Sequence, residues 1–433
     1  MRVLPEPIEV VDGCTPLQAY AALAAETHAF WLDAGPGARD GWSWVGSGHV
    51  DDAEAVAATG LSTGASYPAP AGLFGGGWVG WVGYEAGAAT AGAPVHPEAD
   101  ALPAQRWLRV ERVIGFDHAT GRSWIAAPDA GAWLARARST PPASPTPPAL
   151  DRVATARVSP AEYAARIERC REAIRAGDAY QLCLTTRFDV PGPVDPDAVH
   201  AALRASSPSH HGACIRSGPF ALVGASPEVF LEVRDGVVRT RPIKGTRPRG
   251  ATPAEDAALS AELAASAKEQ AENVMIVDLM RNDLAPVCET GSVSVERLRE
   301  IESYAAVHQL VSTVAGRIRA DRTVGDLLRA AFPAGSMTGV PKLSAMTLLR
   351  TIEDAPRGVF AGCVGWVGDD GSLDLAMVIR TVLTHPGGAY VGAGGGITWY
   401  SDPAEEVAEV GVKARAPLAA AGAAVPPGWG VVG

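Results

Sequence analysis

The stretch "VFLEVRDGVVRTRPI", residues 229–243, constrains the fold more than any other. Two apolar runs flank Asp235–Gly236. An Asp-Gly pair tolerates the positive φ angles of a two-residue turn, so the runs pair as an antiparallel hairpin. More strands are read in "HAFWLDAG", "WVGWVGY", "AYQLCLTTRFDV", "YAAVHQLVSTVAGRI" and "LDLAMVIRTVLTH". "YVGAGGGITWYSD" reads as a strand, a glycine loop and a second strand. Helices carry their own signals. Ser159 stands three residues before Glu162 with Pro160 between them, which is a capping box with proline at the first helical position. Gly177 is its natural stop. Ser266 and Glu269 form a second box, and the run from Val274 through Met280 is apolar almost all round, which predicts a buried helix. "FPAGSMTGVPK" is a loop opening a helix, and Asp402 with Pro403 starts the last one. Strand pairs and helices without regular βαβ alternation predict an α+β fold with large antiparallel sheets.

A chain of 433 residues with 47% hydrophobic content fills one large or two ordinary domains. The clearest break is the proline-rich connector 139–155, "STPPASPTPPALDRVAT". It separates an N-terminal part, 1–138, from a region 156–421, followed by a short C-terminal tail, 422–433. The formal net charge of −11 argues against nucleic acid, which needs a basic face. The start of the chain lacks a basic segment followed by an apolar run, and no stretch approaches the roughly 18 apolar residues of a membrane span. Six scattered cysteines without a Cys-x-x-Cys pair argue against a zinc site or disulfide scaffold. A cytoplasmic location is expected.

Chemistry concentrates after the connector. Lys244 sits in "RPIKGTRPRG", just past a strand. Either its cations face water from a surface loop, or fixed backbone aims the amine. Glu269 and Glu272 share a helix face. They are costly there unless paired, protonated or bound to metal, or they lie at an exposed helix start that favours acids. Glu406 and Glu409 repeat the spacing, although Lys413 follows Glu409 as in an ordinary solvent-facing ion pair. If the two helices face each other, four carboxylates converge and suit Mg²⁺. Gly394, Gly395 and Gly396 offer backbone N–H groups to an anion, or simply form a tight turn. Arg380, at the end of "LAMVIR", either grips a carboxylate or reaches out to water. His308 alone in an apolar strand is the usual picture of a core histidine. Glu228 lies across the hairpin from Lys244, and a two-stranded ribbon would bring the pair together. These residues describe a site for a small polyanion.

"SPEVF", "RPIKGTRPRG", "AENVMIVDLMRNDL", "HQLVSTVAGRI", "FPAGSMTGVPK", "DLAMVIRT" and "GAGGGI" occur here in order. In this the chain resembles the chorismate-utilising enzymes, over roughly residues 155–420. That family includes component I of anthranilate synthase and of aminodeoxychorismate synthase, together with isochorismate and salicylate synthases. The resemblance implies a sandwich of large antiparallel sheets with helices outside. Lysine in "PIKGT", where anthranilate synthases carry a small residue, is similar to aminodeoxychorismate synthase component I. There the lysine amine attacks C2 of chorismate, the C4 hydroxyl leaves, and ammonia then displaces the lysine at the expense of the C2 bond. By the same mapping Lys244 is the nucleophile, with Arg241, Arg247 and Arg249 lowering its pKa if they point inward. Glu228 is the general acid and His308 a third catalytic residue. Glu272 and Glu409 hold Mg²⁺, with Glu269 and Glu406 assisting. Arg380, Thr338, Thr246, Gln181 and Gly394 to Gly396 bind substrate. Water-using members carry a basic lysine near Gln181, and glutamine does not do that work.

"WLDAG" lacks the serine of the tryptophan-sensing stretch of anthranilate synthases, so tryptophan regulation is not implied. None of the six cysteines sits on the glycine-flanked elbow of a glutamine amidotransferase. A separate amidotransferase subunit supplying ammonia is therefore expected. The competing readings are an anthranilate synthase component I with an unusual lysine, and a catalytically silent chorismate-binding subunit.

Overall fold

The computed structural model describes residues 4–11, 13–61, 72–97, 102–141, 148–304 and 307–430. Its centre is a 20-stranded antiparallel sheet. Strands from both sides of the connector pair directly. His28–Asp33 lies beside His211–Ser217, and Gly77–Val82 beside Cys363–Gly368. Residues 142–147 of the connector fall outside the described residues.

The sheet closes over itself because its strands are apolar on both faces. Along His28–Asp33, Phe30 and Leu32 enter one core while Ala29 and Trp31 enter another. Along Cys363–Gly368, Val364 and Trp366 share the first of these cores, while Cys363 and Val367 enter a third. Alternation with period two thus feeds an inner core between two sheet layers and an outer core on each far side. Helices seal the outer cores. Pro160–Ala176, Lys342–Glu353 and Pro403–Ala420 contribute to one, and Ala267–Leu284 and Val324–Ala331 to the other. The fold is the expected α+β sandwich with helices outside.

The hairpin forms as read, with Arg234 opposite Val237 and both Asp235 and Gly236 at positive φ. Its ribbon ends at Thr240, however, and the strand Ile243–Pro248 pairs with Val307–Arg317 instead of with the strand after Glu228. "YVGAGGGI" is also one continuous strand, Gly388–Ile397, paired along its whole length with Gln181–Pro191. The glycines are therefore not a loop. They let neighbours approach closely, since a Cβ at Gly394 would lie 2.4 Å from the Leu184 carbonyl oxygen. "LDLAMVIRTVLTH" splits into Leu373–Met377 and Thr381–His385, with Arg380 at φ +52° in the link.

Two helix readings also change. Helix Ala267–Leu284 buries one face only, with Ile276, Leu279 and Met280 inward and Val274 outward. Apolar content there exceeds what the core needs. Only the first half of its expected capping box forms. Ser266 accepts the Glu269 N–H, while the Glu269 side chain packs against Gly245.

The C-terminal stretch set apart in the sequence as a tail is tied in through residue 430. Ala423–Ala424 pairs with Arg152–Val153, and Trp429 is fully buried against Tyr163 and Phe188. Trp429→Ala should lower unfolding stability by about 3–5 kcal/mol, whereas alanine at Tyr400, 86% exposed, should change it by less than about 0.5 kcal/mol. Denaturant melts of the two variants check the contrast.

Candidate active site

A fault in strand pairing aims Lys244. Ile243 pairs with Val311, the register then shifts, and pairing resumes at Thr246 with Gln309. Gly245 within this bulge has φ +79°, a left-handed conformation that glycine adopts without strain. A Cβ there would lie 2.7 Å from Leu263 and 3.0 Å from Glu269, so the position has no room for a side chain. The bulge turns the Lys244 amine to 3.6 Å from Glu272 Oε2, with both side chains 15% exposed.

Gly396 and Gln181 complete this wall. A Cβ on Gly396 would lie 2.7 Å from Gln181 Nε2 and 3.4 Å from the Lys244 amine. Gln181 is fully buried, and among the described residues neither its amide oxygen nor its nitrogen has a hydrogen-bond partner. A buried polar group left so carries a penalty of about 1–3 kcal/mol, and its standing beside an amine marks space for a polar guest.

Glu228 lies at the head of the strand Val229–Arg234 and is 9% exposed. Burial drives its carboxyl from the ordinary 4.5 up to about 7, against a hydrogen bond from Ser336 Oγ at 2.9 Å and the charges of Lys244 and Lys413. A substantial share of Glu228 thus carries a proton at neutral pH, as a general acid must. Ser336, in the quoted loop "AGSMTG", drew no attention in the sequence because a loop serine is unremarkable until its partner is known.

The three arginines around Lys244 do not serve it. Arg241 is paired with Glu302, Arg247 with Glu262 and Arg249 with Asp256. Each charge is answered locally by a carboxylate.

Glu269 and Glu272 on one helix, and Glu406 and Glu409 on the last, have lysine neighbours in common, but among the described residues no three of the carboxylates gather into a metal-holding group. Burial and the Glu272 charge raise the Glu269 carboxyl. Burial raises Glu406, which accepts a 2.7 Å hydrogen bond from Ser401. Burial pushes Glu409 up too, but Lys413, Lys268 and Lys244 outweigh it and hold the group below the ordinary value. Lys413 is 2.6 Å from Glu409 and also donates to the Gly394 carbonyl at 3.0 Å. The Glu409 end of the pair does face solvent, as its spacing suggests, while Lys413 also ties the last helix to the glycine strand. The i, i+4 spacing of Glu409 and Lys413 hides this, since it looks the same on any exposed helix.

Arg380 is largely buried, and burial lowers its pKa against the pull of Glu409. Among the described residues its guanidinium has no hydrogen-bond or ion-pair partner. Thr338 is fully buried, and its hydroxyl donates to the carbonyls of Ala334 and Gly335. Thr246 is exposed on the bulged strand. His308 is 2% exposed, with one ring nitrogen 2.9 Å from Asp256 and the other 2.8 Å from Ser303. Both nitrogens are thus engaged with the protein.

An amine, a buried acid with a raised pKa, an unpaired guanidinium and helix carboxylates now stand on one frame. Residues 15–419 match the family model described as chorismate binding enzyme. The chain belongs to the chorismate-binding enzymes. Over 366 residues it is 43% identical to an aminodeoxychorismate synthase of Streptomyces pristinaespiralis, covering 79% of this chain and 50% of that protein. It is 39% identical over 372 residues to anthranilate synthase component 1 of Streptomyces coelicolor, covering 80% of this chain and 73% of that protein. This chorismate-binding enzyme spans about half the length of the aminodeoxychorismate synthases it matches. Its fold superposes on anthranilate synthase component I from Streptococcus pneumoniae with a TM-score of 0.74 and 26% identity, over 96% of this chain and 92% of that one.

The raised Glu228 carboxyl links stability to pH. Its folded pKa of about 7 exceeds the unfolded 4.5. Its contribution is therefore whole below pH 4.5 and is lost as pH rises through 7, a swing on the order of 3 kcal/mol. Relative to wild type, Glu228→Gln should gain stability between pH 5 and 8. Parallel denaturant melts across that range test this, and a pH-independent difference would contradict the burial argument.

Proposed function

We propose that the protein is the chorismate-aminating component of an aminodeoxychorismate synthase. It would convert chorismate and ammonia to 4-amino-4-deoxychorismate and water. The observation that carries this reading is Lys244, aimed by its bulge at the Gln181–Gly396 wall and close enough to bear on the protonated Glu228. Names of the relatives support it, and so does the family's lysine-bearing motif.

In the proposed reaction the neutral Lys244 amine bonds to ring carbon C2. Both ring double bonds shift around the far side of the ring, the C4–O bond breaks, and the Glu228 proton leaves with the hydroxyl as water. Ammonia then bonds to C4, the double bonds return and the C2–N bond breaks. Lys244 departs as a free amine, and the extra proton on the new amino group passes to the Glu228 carboxylate. Each residue ends as it began, and one hard substitution has become two easier ones. Gln181 lines the same wall with donor and acceptor to spare. Arg380 and the edge of the glycine strand would hold the carboxylates of the substrate.

The carboxylates fit a magnesium ion. They are hard oxygen donors on two helices and share the lysines Lys244 and Lys268 as electrostatic neighbours. Among the described residues no three His, Cys, Asp or Glu side chains form a metal-holding group. Mg²⁺ would therefore rest on one or two carboxylates, its own waters and a substrate anion. Glu272 and Glu409 would be those two, with Glu269 and Glu406 beside them. When bound, the ion would neutralise and fix a chorismate carboxylate. Ammonia would come from a glutamine amidotransferase partner.

The test is the purified chain with chorismate, Mg²⁺ and an ammonium salt, with products resolved by mass. Aminodeoxychorismate should form, and chelation of Mg²⁺ should stop it. Lys244→Ala should lower the rate on the order of 10³-fold or more. Glutamine should not replace ammonium without a partner. The likeness to the Streptomyces coelicolor anthranilate synthase keeps a second reading open, and anthranilate as the product would establish it.

A further inference from the structure

Arg357 lies outside the chemistry described so far, yet its guanidinium is 4% exposed and almost fully engaged. It stacks over the Tyr84 ring at 4.2 Å. Nε and Nη2 donate to the two oxygens of Glu353, each at 2.8 Å. Nη1 donates to the Met337 carbonyl at 2.7 Å, and Nη2 to the Cys183 carbonyl at 2.8 Å. Glu353 in turn accepts the Thr185 N–H at 2.8 Å and its hydroxyl at 2.9 Å. Glu85 clamps the backbone beneath, accepting the N–H groups of Arg357 and Gly358.

These bonds join two segments that also pair as strands a few residues on, Gly339–Val340 with Gln181–Leu182, and Arg357 adds its hold at Met337, next to Ser336 and short of that pairing. Met337 follows Ser336, whose hydroxyl donates to Glu228. Cys183 lies two residues beyond Gln181, on the strand that faces Gly396. We propose that Arg357 is a positioning residue whose planar fork fixes the loop carrying Ser336 against the strand carrying Gln181, and so sets the hydrogen bond that orients the Glu228 carboxyl. Lysine would not reproduce this, because a single ammonium does not present parallel donors to a carboxylate and two carbonyls at once.

The inference rests on reading Glu228 as the general acid. The charged groups bearing on Glu228 are Lys244 and Lys413, and Ser336 is its hydrogen-bond donor. Removing the Ser336 bond raises the carboxyl further, so the alkaline limb of activity due to Glu228 should move up in Ser336→Ala. Arg357→Lys should move it in the same direction and lower kcat roughly ten- to a hundredfold, with KM within about threefold. The double variant should show no larger limb shift than Ser336→Ala alone. If Arg357→Lys does not accumulate as folded protein, Glu353→Gln, which keeps size but removes the charge that orients the fork, carries the same expectation. An unmoved limb, or limb shifts that add in the double variant, would overturn the role of Arg357. Turnover retained by Glu228→Gln would instead overturn the acid reading.

Discussion

Everything in this molecule depends on strands that are buried on both faces. Strands such as His28–Asp33, Gly77–Val82 and Cys363–Gly368 offer almost no wet surface on which to put reactive groups, and exposure returns only at margins such as Ser294–Ser303. Polar chemistry is confined to places where the strand pattern is broken, and the site is built from such breaks. The bulge at Lys244–Gly245, the irregular link holding Arg380 at positive φ, and the one-sided edge of the glycine strand each turn a group out of the ladder. Interrupted pairing in a dry frame also explains the raised Glu228 carboxyl, since the burial that makes the cores disfavours its charged form.

Much of the frame was legible. The Asp235–Gly236 hairpin, the Ser159–Glu162 cap and the Gly177 stop all stand where local chemistry places them. Local rules succeed there because the partners are within a few residues. They fail where partners are distant in the chain. The glycine run looked like a loop because glycine is poor in strands. It lies in a strand because the Gln181–Pro191 backbone and the Gln181 side chain leave no room for a Cβ. The apolar helix Ala267–Leu284 looked buried all round because composition does not reveal how much of a helix the rest of the fold covers.

The site shows the same division. Lys244, Gln181 and Gly396 meet at one wall, and the charge of Lys244 reaches Glu228, although the ribbon expected to bring those two together ends before Lys244. The arginines of "RPIKGTRPRG" were read as neighbours of the lysine, and they answer carboxylates brought in from elsewhere. His308 and Thr338 hold their hydrogen bonds within the protein. Ser336 and Arg357 were not singled out, and Lys413 was read only as the ion-pair partner of Glu409, because each matters through a partner the sequence does not place beside it. Residue type announces a possible reagent, and long-range packing decides whether it is aimed.

The central claim is that Lys244 is a nucleophile. The most direct test is intact-protein and peptide mass spectrometry of the enzyme quenched after mixing with chorismate and Mg²⁺ in the absence of ammonia. The account predicts an adduct with the mass of chorismate less one water, mapped to Lys244 and lost when ammonium is added. Steady turnover to an aminated product with an unmodified Lys244 under all quench times would contradict it.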